Sequence, residues 1–150
     1  MNDNIPFRLI DAFTATSYGG NPAGVVLVAD GLSTEQMQAV AREVNASETA
    51  FICGGNDLHR PPRLRWFTPA VEVGFCGHAT LAAAHAWAEV AGQRAAAAQP
   101  VPRVTFDSAA GRLELHAEHV PAHPAAPVWW LRMPDAGLQP ANLNPIRTCE

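Results

Sequence analysis

The sequence contains no lysine: all ten basic residues among its 150 are arginine. Schiff-base and pyridoxal-phosphate chemistry need a lysine amine, and a P-loop needs one to reach phosphate, so this chain supplies neither. G-x-G-x-x-G and G-x-x-x-x-G-K-[ST] are both missing. No run approaches the roughly 18 consecutive apolar residues of a membrane span. The N-terminus, MNDNIPFRLI, lacks the positive charge and apolar stretch of a secretory signal, so the expected location is cytoplasmic and no membrane partner is expected. Cysteine is scarce: Cys53, Cys76 and Cys149 are odd in number, widely spaced and without C-x-x-C pairing. That favours reduced thiols over a disulfide frame or a zinc site. Positive charge is also short. A net charge of -4 gives no basic footprint for phosphates, so no nucleic-acid partner is expected.

What is present is a compact, charge-poor domain, 48% hydrophobic and 16% charged. A chain of this length buries about two-thirds of its unfolded surface. Residues 7–13 read as a strand, and Gly19, Gly20, Asn21 and Pro22 as an irregular turn. Residues 24–29 read as a buried β-branched strand. Ser33 followed by Gln36 has capping-box spacing, and Met37, Val40, Ala41 and Val44 repeat on one helical face. Strands are expected at 48–53 and 63–68, the second as a hairpin partner. Residues 78–90 read as an alanine-rich core helix stopped by Gly92, and 91–102 as a connector. Residues 103–108 and 112–117 form a hairpin with Leu113, Leu115 and Ala117 on its buried face. A proline-rich loop at 119–127 and a last strand at 128–133 follow. This order argues for α+β rather than a βαβ parallel sheet.

Cys76-Gly77-His78-Ala79-Thr80 places a thiol and an imidazole around a glycine at a helix start. Backbone can approach a ligand there, the first-turn amides bind carboxylates or oxyanions, and the helix dipole favours neutral imidazole. The bland reading is a glycine helix start with a satisfied core histidine. Glu48 opens a strand beside Ala50 and Phe51, where apolar surroundings favour the proton retention that a general acid/base needs. Its bland reading is a solvated strand end. Glu72 competes for the role from an open turn. Cys76 could itself be the base, because a thiol at a helix N-terminus ionises more easily, or an inert buried cysteine. His85, His116, His119 and His123 lack convincing ligand spacing, so no metal site is expected.

Asp11-Ala12-Phe13, Gly20-Asn21-Pro22-Ala23-Gly24-Val25-Val26, Gln36-Met37-Gln38, Ala41-Arg42-Glu43, Asn45 to Phe51, Arg65-Trp66-Phe67-Thr68-Pro69 and Cys76 to His85 together resemble the PhzF-like phenazine-biosynthesis isomerase family. The resemblance runs in order from about Phe7 to Trp87. It implies a diaminopimelate-epimerase-like α+β fold of two similar lobes, each with mixed or antiparallel strands wrapped round a central helix, and a cleft between them. It also implies cofactor-free proton transfer between carbons of a dihydro-hydroxyanthranilate-like acid. Glu48 matches the family's general acid/base, and Gly77 and His78 match the pair that binds and polarises substrate. Cys76, Ala79 and Asn21 are further expected substrate contacts, and the implied partner is a second copy, as a homodimer.

On this resemblance residues 1–133 are one lobe and 134–150 an irregular tail, without the acidic residue and Gly-Ser-Ala-type loop of a second lobe. Gly74 also departs from the acidic residue common in relatives. Two alternatives stand beside the isomerase. Cys-Gly-His is similar to the thiol motif of cysteine-dependent amino-acid racemases and epimerases, which would make Cys76 the base. A lone lobe could instead serve as an inactive binding or dimerisation module.

Overall fold

The computed structural model describes residues 5–55, 60–94, 103–121 and 127–133, with side chains throughout except at 91–94. The expected tail at 134–150, with Cys149, and also His123 lie outside the described residues.

Chain order is β1 (Phe7–Ala12), β2 (Asn21–Val26), α1 (Thr34–Val44), β3 (Glu48–Cys53), β4 (Arg63–Phe67), β5 (Glu72–Val73), α2 (Gly77–Arg94), β6 (Arg103–Ser108), β7 (Gly111–Glu118) and β8 (Val128–Arg132). The strands form one mixed sheet in the order β1-β2-β3-β4-β6-β7-β8, with β5 on β4. It wraps round α2, which packs against β1, β2, β3, β6 and β8.

Alternation along the central strands explains why two helices are needed. Val25, Ala50, Ile52, Leu64 and Trp66 join the cluster containing α2, whereas their neighbours Val26, Phe51 and Phe67 join Met37 and Ala41 of α1. Both faces of β2 and β3 therefore carry buried apolar residues, whereas β4 alternates Arg63 and Arg65 with Leu64 and Trp66. The buried face of α2 is largely alanine, with Ala79, Ala82, Ala83, Ala84 and Ala86 almost wholly buried. Small side chains let the helix lie close to the curved sheet.

Helix α1 starts where its capping box requires. The Ser33 hydroxyl accepts from the Gln36 amide at 3.2 Å, and the Gln36 side chain accepts from the Ser33 amide at 2.8 Å. Asn45 ends it in the left-handed conformation, and its amide donates to Ala41 O.

Several expectations change. β2 begins at Asn21 and ends at Val26, so Asn21 and Pro22 belong to the strand rather than to the turn. Pro22 is tolerated because it lies before the parallel pairing with β3, which starts at Ala23 opposite Glu48. β2, α1 and β3 form a βαβ unit, and β4 also meets β6 in parallel, so the sheet is mixed, as the family resemblance implied, although the element order argued against βαβ. Gly92 does not stop α2, which runs to Arg94. Glu72 lies in the short strand β5, not in an open turn. The hairpin of β6 and β7 forms as expected, with Leu113, Leu115 and Ala117 buried.

Candidate active site

The parallel register of β2 and β3 puts the start of β3 beside the first turn of α2. Glu48 is the first residue of β3, and His78 is the second residue of α2. Their side chains meet with Glu48 Oε2 3.4 Å from His78 Nε2, at side-chain exposures of 22% and 10%. Both groups are thus shielded yet still open to a small ligand.

The imidazole is held on both edges. Cys76 Sγ lies 3.3 Å from Nδ1, and Ser47 Oγ lies 3.2 Å from Nε2. Ser47 donates its hydroxyl to Pro22 O at 3.3 Å, which leaves its oxygen to accept from an Nε2–H. Nδ1 is then the acceptor for the Cys76 thiol. This pattern assigns the proton of a neutral imidazole to the nitrogen beside Glu48.

Cys76 is anchored by its own backbone, since its carbonyl accepts from the Thr80 amide at 3.1 Å and the Thr80 hydroxyl at 2.6 Å. Burial pushes the Cys76 thiol up from 9.0 to about 11. The amides of Ala79 and His78 pull the other way, but the nearby Glu48 carboxylate adds to the rise. Desolvation thus outweighs the helix-start amides, which favours the inert buried cysteine of the two readings.

Gly77 is half-buried, and a Cβ built on it would meet no atom within 4 Å. The Cβ side of Gly77 is thus open at the helix start. Ala79 is completely buried, so its side chain belongs to the core, and its amide is turned to the Cys76 sulfur. Asn21 is exposed, two residues before the Ala23 that faces Glu48, at the same end of the sheet.

Glu72 is excluded from the role of competing base by its partner. Arg65 donates to it from Nε at 2.7 Å and from Nη2 at 2.8 Å, and this bidentate pair holds the Glu72 carboxyl below the usual range. A depression of about 420 Å³ on the α1 face includes Thr34, Gln38, Arg42 and Glu72 but none of the residues around His78. The convergent titratable groups are at the α2 start, which makes it the candidate site.

Ser47 is the contact that sequence reading missed, although it adjoins Glu48; only the meeting of β3 with α2 makes it a partner of His78. A possible ligand set was missed for the same reason. Glu48, Cys76 and His78 present donor atoms within 4.8 Å of one another. The separations of about 30 residues along the chain gave no spacing signal. Of the other histidines, His85 pairs with Glu89 at 3.6 Å and His116 with Glu118 at 3.4 Å, each with one carboxylate. No helix among the described residues is long and apolar enough to cross a membrane.

Residues 10–138 match the family model for phenazine biosynthesis-like proteins, PhzC-PhzF. An uncharacterized isomerase of Pseudomonas aeruginosa is 43% identical over 114 residues, 76% of this chain and 40% of its own length. The uncharacterized isomerase YddE of Salmonella typhimurium is 48% identical over 112 residues, 73% of this chain and 35% of its own. The crystal structure of a PhzF-family phenazine biosynthesis protein from Bacillus anthracis superposes with a TM-score of 0.66 at 34% identity, covering 79% of this chain and 37% of that one. A predicted epimerase of Pseudomonas aeruginosa gives a TM-score of 0.67 at 26% identity, covering 79% and 40%. The chain thus spans well under half the length of these relatives, and its half-barrel round one helix is the α+β arrangement of the diaminopimelate-epimerase-like fold. With the match running through Asn21, Glu48 and the whole start of α2, the chain belongs to the PhzC-PhzF family of phenazine biosynthesis-like proteins.

Proposed function

We propose that this chain carries the acid/base half of an isomerase that moves a proton between carbons of a small carboxylic acid without a cofactor. The observation that carries the reading is the 3.4 Å approach of Glu48 Oε2 to His78 Nε2 at a helix start with open space above Gly77. Glu48 takes the proton from one carbon and returns it to another. His78 polarises the substrate and steadies the charge that develops, while the first-turn backbone near Gly77 receives the carboxylate or enolate. Asn21, at the same sheet end, contacts the distal part of the substrate in this reading.

The enzyme acts in the cytoplasm as a pair of copies. What supports the pairing is apolar surface at both sheet edges, with Leu9 exposed on β1 and Trp130 on β8. Native mass measurement decides it, and a strict monomer that binds no ligand would instead favour the inactive-module reading.

The catalytic assignment is tested by incubating the chain with candidate hydroxy- or amino-substituted unsaturated acids in deuterated water and following label at carbon. Glu48→Gln should slow incorporation by about 10²- to 10⁴-fold, the usual contribution of a general acid/base. Equal incorporation by the wild type and Glu48→Gln would remove Glu48 from the mechanism. A cysteine-based racemase would instead lose all exchange in Cys76→Ala.

A further inference from the structure

We propose that Glu48, Cys76 and His78 form a binding site for one thiophilic divalent cation of the zinc class, and that the bound ion excludes the substrate. The three side chains offer a carboxylate oxygen, a sulfur and an imidazole nitrogen, all within 4.8 Å of one another. Ligand atoms around tetrahedral zinc, at about 2.0–2.3 Å from the metal, lie roughly 3.3–3.8 Å apart. Glu48 lies 3.4 Å from one ring nitrogen of His78 and Cys76 3.3 Å from the other; with one donor atom taken from each residue, all three stay within 4.8 Å of one another. The sulfur and the carboxylate approach opposite ring nitrogens, so binding requires the imidazole to turn about its soft terminal torsion until one nitrogen faces the point between them. As the metal–sulfur bond forms, the thiol proton leaves to solvent.

The donor set argues for the class of ion. One sulfur, one nitrogen and one oxygen suit borderline-soft zinc, cadmium or cobalt; magnesium and calcium take oxygen shells. A thiolate and a carboxylate neutralise the dication, which matters where the side chains are mostly shielded. The open space over Gly77 leaves room for a fourth ligand such as water. The ligands are also mounted rigidly: Glu48 by its place opposite Ala23, and Cys76 by the two Thr80 bonds to its carbonyl. The His85–Glu89 and His116–Glu118 pairs are more exposed, and neither belongs to a three-donor group among the described residues.

Cation capture stands apart from the isomerase reading, whereas substrate exclusion rests on it. The first experiment therefore uses no substrate. The full chain, stripped with chelator, is titrated with Co²⁺ and followed by sulfur-to-metal charge-transfer and visible ligand-field absorption. One equivalent should produce an intense tetrahedral-type spectrum, and Zn²⁺ should abolish it by displacement. Cys76→Ala and Cys76→Ser should lack the charge-transfer band while keeping wild-type circular dichroism. Glu48→Gln and His78→Asn should weaken binding about tenfold or more, and Cys53→Ala and His116→Gln should leave it intact. No band in the wild type, or a band that survives in folded Cys76→Ser, overturns the site.

The second experiment measures deuterium incorporation with and without Zn²⁺. Inhibition relieved by excess substrate is expected, and a bound ion that leaves incorporation unchanged overturns the exclusion. Incorporation without any Co²⁺ spectrum removes the cation site and leaves the isomerase; a Co²⁺ spectrum in a chain that never exchanges does the reverse.

Discussion

Cys76 Sγ rests 3.3 Å from His78 Nδ1 while its thiol is pushed up to about 11, so the sulfur orients the imidazole as a neutral hydrogen-bonding group. At pH 8 only about one thiol in a thousand is ionised at such a value, against a substantial fraction for a free cysteine. Iodoacetamide should therefore label Cys76 about a hundredfold more slowly than a free thiol, as read by mass spectrometry of the Cys76 peptide. Cys76→Ser should retain measurable proton exchange with an unchanged pH profile. Rapid labelling together with complete loss of exchange in Cys76→Ser would make sulfur the base.

The same thiol gives a stability signature at high pH. Its folded value lies above 9.0, so the folded state binds the proton more tightly than the unfolded state. The contribution is complete below pH 9 and is lost as pH rises through about 11. Two units correspond to about 3 kcal/mol at most for this buried group. Cys53 is raised as well, chiefly by burial, and acts in the same direction. Urea unfolding should show stability falling from pH 9 to 11, with a shallower fall in Cys76→Ala. Equal slopes in the two proteins would show that the thiol is not desolvated.

Arg65 and Glu72 supply the opposite sign. Glu72 is lowered below 4.5 by the Arg65 hydrogen bonds, so its contribution is present above the unfolded value and disappears as pH falls through the lowered one. Glu72 is 40% exposed, and solvent screening limits the pair to about 1 kcal/mol even in bidentate geometry. Glu72→Gln should cost about that much at pH 7, lose the difference from wild type as pH falls through the lowered value, and leave proton exchange unchanged. A large loss of exchange would restore Glu72 as a competitor to Glu48.

The helix start at Ser33 and the hairpin of β6 and β7 could be read from the sequence because local rules determine them: a capping box in one case, alternation across a short turn in the other. The parallel pairing of β2 with β3 could not, because its register depends on α1 packing Met37 and Ala41 under Val26 and Phe51. Glu48, Gly77 and His78 were candidates from their local context and the family resemblance. That Ser47, Glu48, Cys76 and His78 share one cluster follows only from this tertiary pairing. That the Ala79 side chain is buried could not be read from its local motif, because nothing there distinguishes the buried side of the first helical turn from the open side.

Two glycines near the site separate a packing requirement from a ligand requirement. At Gly24 an added Cβ would come within 2.8 Å of Thr49 Oγ1 and 3.2 Å of the Phe7 ring, and Thr49 is fully buried. Thr49 has no free space, so Gly24→Ala should cost about 1–3 kcal/mol, lowering the melting temperature by about 2–4 °C for each kcal/mol. Because Gly24 faces Thr49 across the β2–β3 pairing, the displacement reaches the adjoining Glu48, and kcat should fall as well. At Gly77 an added Cβ meets no atom within 4 Å, and alanine favours the helix. Gly77→Ala should melt at or above the wild-type temperature. If substrate lies against this backbone, the new methyl occupies its place and KM should rise about tenfold while stability does not fall, the cost expected for a 1–2 kcal/mol clash with a ligand. An unchanged KM in Gly77→Ala would place the substrate away from the helix start and remove the anchoring step from the mechanism.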